Sequence, residues 1–404
     1  MPSYIYRARD ATGKPLKGTM EAADKQELID KLHKMGYMTT NVSEVAAGMQ
    51  IGSIFDKLKW IATSDMLMFY IQLSNMINAG ITILMSLSTL SKQIENHRLK
   101  EAVGSVARQV EGGSSLSRGF ALHPQIFSKL FVSMIEVGEE SGKLDTVLLR
   151  YANFFEQQED LRQKIKGALF YPIILLLAGV AVTLFIVTFI IPQFAEIYLR
   201  AGIILPIPTL IVYKIGLAIK HYWYLLIVFL AVILFGLRYY FKTDRGAFLI
   251  DRLKLRAPII GPLYRKVAVS RFSRTLATLL GSGVPILKSL DITKEVLANQ
   301  VLAQVITNVH KSVEKGEHIA EPLKISEEFP ADVVQMISVG EETGGLEEML
   351  NKIADFYDMT VGYAVKKLTT IIEPLFLIVL GVMVGLIMAS MLMPIFDMLK
   401  TLRR

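Results

Sequence analysis

The chain has 404 residues, a formal net charge of +7 and no cysteine, which excludes a disulfide framework, a thiolate metal site and a cysteine nucleophile. With 52% hydrophobic and 20% charged residues and a mean hydropathy of +0.42, it is too apolar for an ordinary soluble protein and too charged for a wholly embedded one. A mainly α protein, part in and part out of a membrane, fits both; its basic excess then marks cytoplasmic loops rather than nucleic-acid binding.

Residues 1–45 read as a small α+β module. Tyr4, Tyr6 and Ala8 alternate with Ile5, Arg7 and Arg9 in strand fashion. Asp10 to Gly13 has turn chemistry, and Lys17–Ala22 supplies a return strand. Asp24 is placed to cap a helix, with Glu27 completing a capping box; Leu28, Leu32 and Met35 form its apolar stripe and Gly36 ends it. Tyr37–Val42 is a third strand. The first residues lack the apolar core of a signal peptide. Residues 46–63 are expected to be a linker.

Residues 64–166 are predicted to be a first cytoplasmic helical bundle. Apolar residues recur at three and four, and Gly80, Gly104, Gly112, Pro124 and Gly138 punctuate about six helices of ordinary length. A first transmembrane helix is placed at 167–195, where 29 consecutive positions carry no charge, against roughly 20 needed to span hydrocarbon. Pro172 lies near its start and Pro192 at its end, as suits a helix entering and leaving the bilayer. A periplasmic loop is expected at 196–214, because Pro206 and Pro208 oppose a continuous helix there. A second span at 215–241 rests on the 16 uncharged residues Tyr222–Leu237, with Lys220 and Arg238 snorkelling and Trp223, Tyr222, Tyr224 and Tyr239 at interfaces. A second cytoplasmic bundle is placed at 242–370, a third span at 371–396, and a short periplasmic tail at 397–404. Within the third span Gly381, Gly385 and Ala389 repeat every four residues and form a face for close helix packing. The orientation follows from basic residues, which concentrate before the first and third spans and between Arg238 and Arg274.

The two bundles are copies. Glu136–Leu148 and Ser338–Leu350 share seven of thirteen positions, centred on Val-Gly-Glu-Glu-Ser/Thr-Gly-x-Leu. Phe69 and Leu73 correspond to Phe272 and Leu276 at an offset of 203, and Lys164, Pro172 and Pro192 to Lys366, Pro374 and Pro394 at 202. One unit, a polar helical bundle followed by a membrane anchor, is used twice.

Chemistry is sparse. Gly138–Lys143 resembles a phosphate loop only superficially: Val137 stands where the pattern needs Gly, and Leu144 where it needs Ser/Thr. The pairs Glu139/Glu140 and Glu341/Glu342 admit two readings. As adjacent helix residues they face different ways, so they are either helix-end charges beside a tight turn or a docking site for a basic partner. His33, His97, His123, His221, His310 and His318 show no metal-ligand spacing. The uncharged runs of the three spans, 167–195, 222–237 and 374–396, hold no charged group for a proton relay, and Glu373, which abuts the third run, matches Tyr171 in the first copy. No catalytic residue, cofactor or metal is expected. A transporter built from duplicated halves is the alternative class, disfavoured by an unpaired span and the lack of intramembrane charge.

The paired Gly-Glu-Glu-Ser/Thr-Gly-x-Leu motifs, Ala79-Gly80-Ile81, Ser282-Gly283-Val284-Pro285, Leu205-Pro206-Ile207-Pro208-Thr209 and the Tyr-x-Tyr-x-Ala opening with Gly13 and Gly18 resemble the inner-membrane platform proteins of type IV pilus and type II secretion machines, the GspF/PilC family. The resemblance covers nearly the whole chain. It implies a non-enzymatic multi-pass protein of the bacterial inner membrane, with its bulk in the cytoplasm. It further implies homo-oligomers, a hexameric cytoplasmic assembly ATPase, pilin or pseudopilin subunits, other inner-membrane assembly proteins and membrane lipid as partners, and no nucleic acid. Lys143 is not repeated in the second copy, so the two copies need not share partners.

Overall fold

The computed structural model describes residues 3–9, 15–22, 24–44, 60–200, 207–241, 243–258 and 260–402. It separates into two compact units, 1–69 with 81–114 and 70–80 with 115–404. The division does not follow the repeat boundary.

In the first unit, strands β1 (Ser3–Arg9), β2 (Pro15–Glu21) and β3 (Met38–Glu44) make an antiparallel sheet in the order β2-β1-β3. Tyr4 lies opposite Met20 on one side and Glu44 on the other. Helix α1 (Lys25–Lys34) covers it, burying Leu28 and Leu32 with Tyr4, Ala22 and Val42. Its first turn is held by Asp24, whose carboxylate accepts the Glu27 N–H at 2.7 Å. The turn expected at Asp10–Gly13 and most of the 46–63 linker lie outside the described residues. Helix α2 (Thr63–Asn78) follows and crosses the division between the units. Helices α3 (Ile83–Gln93) and α4 (His97–Glu111) form a hairpin in the first unit. Asn96 caps α4, and Leu99, Ala102, Val103 and Val106 recur at helical spacing on its buried face.

The second unit continues with α5 (Leu116–Ala121), α6 (Lys129–Ser141) and α7 (Leu144–Phe185). Tyr70, Phe120, Phe131 and Tyr151 stack with centroids 4.7–4.9 Å apart, mostly tilted or edge-on, as aromatic quadrupoles prefer. Burial pushes the Tyr70 and Tyr151 hydroxyls above their ordinary range. A five-residue π segment, Ile186–Ile190, joins α7 to α8 (Ile191–Arg200); α9 (Ile207–Tyr240) and α10 (Asp244–Arg256) come next. The second copy then repeats the helix order of the first: α11 (Ile260–Gly281), α12 (Ile286–Leu297), α13 (Gln300–Glu314), α14 (Ala320–Ser326), α15 (Ala331–Thr343) and α16 (Leu346–Leu402). Its core is built on Phe272, Leu276, Leu323, Phe329, Ile337 and Leu350. Beside it Arg274, 7% exposed, binds Asp355 at 2.6 Å and Asp358 at 2.8 Å, and the Ser270 hydroxyl donates to Asp358.

Two helices are long and apolar enough to cross a membrane, within Leu144–Ile197 and Leu346–Gly385. A third such element exists if Thr209–Leu225 and Ile227–Tyr240, bent by 57°, count as one span. The bend falls at Tyr222, where φ is −114° and ψ 17°.

The helices run on through several of the expected domain boundaries. No break separates bundle from span at 166/167: α7 runs through both. Pro172 lies inside α7. Pro192 falls just past the π segment, whose wider turn accommodates the lost N–H and the clash that a proline ring makes one turn back. The 196–214 loop is helical at both ends, through Arg200 and from Ile207; Pro208 sits in the first turn of α9, where a missing N–H costs nothing. The 397–404 tail continues α16 to Leu402.

Close packing between apolar helices occurs at glycines. A Cβ on Gly179 would lie 2.3 Å from Phe376, and one on Gly216 would lie 2.1 Å from the carbonyl oxygen of Val187 in the π segment. Gly216→Ala is therefore expected to lower the thermal unfolding temperature of the detergent-purified protein by several degrees. Gly236→Ala, at a site with no neighbour within 4 Å, should leave it unchanged; equal effects would refute the contact.

Candidate functional site

The repeated turn links α6 to α7 and α15 to α16, and each of its residues has a separate physical task. Gly142 and Gly344 end their helices in the left-handed region, with φ of 70° and 72°. A side chain there would cost about 1 kcal/mol or more. In the first copy the Lys143 N–H donates to the Gly138 carbonyl at 3.0 Å, closing a Schellman turn. Gly138 and Gly340 are needed for space: an added Cβ would lie 3.2 Å from Leu144 Cα in the first copy and 3.1 Å from Leu346 Cα in the second. The last turn of one helix thus rests directly on the first turn of the next.

The glutamates divide. Glu139 reaches across to α5, 22 residues earlier. Its carboxylate accepts the Leu116 N–H, the Ser117 N–H at 3.0 Å and the Ser117 hydroxyl. Glu341 does the same for α14, accepting from Ile319 N–H at 2.7 Å and Ala320 N–H at 3.1 Å. Both carboxylates neutralise free amides at a positive helix end. Glu140 and Glu342 lie on a different face and are exposed; among the described residues Glu342 accepts the Ser338 hydroxyl, at 3.2 Å, one turn back. The structure therefore places one glutamate of each pair inward on backbone and the other at the surface. It does not bring the two pairs together as an acid/base constellation. Among the described residues no group of three His, Asp or Glu could hold a metal. Gly381, Gly385 and Ala389 lie on the exposed surface of α16, with nothing within 4 Å of a Cβ at either glycine.

Sequence reading missed the reach of Glu139 and Glu341 to a helix two elements back. The available signal was the similar spacing, 21 to 23 residues, of each glutamate from the amides it binds. It also missed the bridges between the repeats: Lys129–Glu295 and Glu136–Lys288 at 2.6 Å, and Arg150–Glu347 at 2.7 Å. No periodicity encodes such a pairing.

Against known proteins, the family model described as type II secretion system protein F matches residues 69–192 and again 272–394, and that family's N-terminal domain matches 1–43. The chain is similar to the type IV pilus assembly protein PilC of Thermus thermophilus, at 39% identity over 100% of this chain and 99% of the relative. It is also similar to the type II secretion system protein F of Xanthomonas campestris, at 32% over 98% and 99%, and to the type IV pilus assembly protein TapC of Aeromonas hydrophila, at 32% over 96% and 93%.

Each Glu139→Ala or Glu341→Ala change should cost about 2 kcal/mol, because two charge-assisted bonds to part-buried amides are lost. Glu140→Ala and Glu342→Ala should cost under about 0.5 kcal/mol, as exposed charges do. Chemical denaturation of the purified variants reads both; equal costs would show that the inward carboxylates do not hold the turn.

Proposed function

We propose a role from one premise: the chain belongs to the type II secretion system protein F family. The role is that of a non-enzymatic platform in the bacterial inner membrane, within a type IV pilus or type II secretion machine. It passes motion from a cytoplasmic assembly ATPase to the insertion and extraction of pilin or pseudopilin helices. The bundles face the cytoplasm, the spans are three, and the chain acts as a homo-oligomer alongside other inner-membrane assembly proteins.

One observation carries this reading. Helix α16 is continuous from Leu346, at the edge of the repeated turn, to Leu402, and α7 with its π segment and α8 runs unbroken from Leu144 to Arg200. A displacement imposed at the turn reaches the apolar segment along a rod, with no hinge to absorb it. The turn offers a handle at its exposed corner, where Glu140 and Glu342 carry charge not committed to a helix end. These two dock the basic surface of a moving partner, while Glu139 and Glu341 keep the corner rigid. The exposed small-residue face at Gly381, Gly385 and Ala389 offers close approach to an apolar helix in lipid, where packing rather than the hydrophobic effect drives association.

The membrane reading is tested by reporter fusions. A fusion at Thr209 should report periplasmic and one at Thr243 cytoplasmic; a cytoplasmic signal at Thr209 would remove the first span. The docking reading is tested by the double variant Glu140→Lys/Glu342→Lys. The expected outcome is a folded, membrane-inserted protein that loses fibre or pseudopilus assembly and retains at least tenfold less ATPase on co-purification, with the wild-type association weakening as salt is raised. Undiminished assembly by that variant would end it.

A further inference from the structure

Helix α10 is held on two sides. Helix α9 ends at Tyr240 and α10 begins at Asp244. Between them the Thr243 hydroxyl donates to the Tyr240 carbonyl at 2.6 Å and accepts the Gly246 N–H at 3.2 Å. A Cβ on Gly246 would lie 2.1 Å from that same carbonyl, so the side of α10 that carries Gly246 is pressed on the last turn of α9. The opposite side belongs to the second bundle. Leu255 enters its core. The buried Asp251 carboxylate accepts the Gln300 N–H at 2.9 Å, at the start of α13, and also the Lys254 ammonium at 2.9 Å.

Two adjoining stripes of α10 remain outward. Leu249 and Leu253 stand three and seven residues after Gly246, on its side of the helix, and are 53% and 67% exposed. Beside them Arg245, Arg252 and Arg256 recur at intervals of seven and four, all exposed. No carboxylate among the described residues pairs with these three, since Asp251 is turned into the bundle with Lys254. Leucines left in water and a row of cations without counter-charge are both unfavourable. A surface that is apolar beneath and anionic above relieves both at once.

We propose that α10 lies in the headgroup layer of the membrane and binds anionic phospholipid. Leu249 and Leu253 enter the acyl boundary. The arginine stems lie over that boundary and their guanidinium groups meet the phosphates. Two observations favour lipid over a protein partner. The leucines share the side of α10 that is turned to the end of the apolar helix α9, and the tight turn at Thr243 keeps α10 at the depth where that helix ends. The charge of the outward face is wholly positive among the described residues, the complement of an anionic leaflet. This rests on the reading of α9 as a membrane-crossing helix. The second bundle is then fastened to the lipid surface through Asp251 and Leu255, besides its long helix.

The absence of cysteine allows single probes. Full-length protein with Leu253→Cys, labelled with an environment-sensitive fluorophore, is reconstituted into phosphatidylcholine vesicles containing phosphatidylglycerol. Quenching is read with phospholipids spin-labelled on an acyl chain and carrying either headgroup. Leu230→Cys, in the apolar run of α9, is the lipid reference. Glu342→Cys is the water reference, separated from Pro374 by about 40 Å of helix. The expected result is that Leu253 is quenched like Leu230 while Glu342 is not. Spin-labelled phosphatidylglycerol should quench Leu253 at least roughly fivefold more strongly than spin-labelled phosphatidylcholine, the order of one arginine's attraction to an anionic surface. Arg245→Gln/Arg252→Gln/Arg256→Gln should abolish that preference and leave quenching at Leu230 intact, which shows the variant still inserted. The proposal is overturned if Leu253 behaves like Glu342 while Leu230 is quenched, the outcome for a face reserved for a protein partner. It is also overturned if the two headgroups quench Leu253 equally, or if the triple variant keeps the preference. An unquenched Leu230 would overturn the α9 span and this proposal together.

Discussion

Two backbone amides at the start of a short helix, met by one carboxylate from 22 residues further on, fix the geometry on which both halves of the molecule depend. A helix start leaves amides without partners, and burying them unpaired costs more than their bonds return. In α5 Ser115 accepts the Arg118 amide and Glu139 takes the two amides before it, of Leu116 and Ser117. In α14 no side chain of the local sequence caps the helix at Ile319, and among the described residues Glu341 takes those amides. The same carboxylate is carried on the last turn of α6 or α15, so satisfying the short helix also sets where that turn lies. Gly138 and Gly340 then allow the next long helix to start in contact with it.

From that fixed corner the two long helices leave in defined directions. Each is polar and packed in its first third, and apolar and outward-facing thereafter. Leu161 packs with Val361 and Val365 before the apolar stretch begins, and Gly179 meets Phe376 within it. The connection between each bundle and its apolar segment is therefore continuous backbone hydrogen bonding, stiffer than any loop. The π segment at Ile186–Ile190 is the local exception in the first rod. It is tied to α9 through Gly216, which lets the second apolar helix reach the Val187 carbonyl.

The parts of this fold legible in the sequence are those encoded locally. The capping carboxylate of Asp24, the strand-like alternation at Tyr4–Ala8 and the left-handed glycines at 142 and 344 each act within a few residues, and the structure shows Asp24 on the Glu27 amide and both glycines at positive φ. The duplication was legible because a repeat is a comparison of the chain with itself. The continuity of α7 through residue 166 was not, because a change from charged to apolar composition alters what surrounds a helix and leaves its hydrogen bonding intact. Nor was the inward turn of Glu139, since its partners lie two elements away and backbone amides have no sequence signature. Proline marks an end less firmly than its chemistry suggests: Pro192 lies just past the π segment in a continuous helical run, because a long helix packed against its neighbours tolerates a lost bond that would end an isolated one.

What duplication kept and what it changed separates backbone constraint from packing. Tyr70, Phe131 and Tyr151 of the first repeat's aromatic cluster become Ser273, Val333 and Ile353 in the second, and the second repeat's ionic cluster of Arg274, Asp355 and Asp358 stands where the first has Ile71, Asn153 and Glu156. Cores accept such exchanges when volume and pattern are kept, and here one repeat fills its interior with rings while the other uses a paired charge. The Gly-Glu-Glu-x-Gly turn did not change, because its requirements are a missing Cβ, a positive φ and a carboxylate of one length. No rearrangement of neighbours can substitute for these.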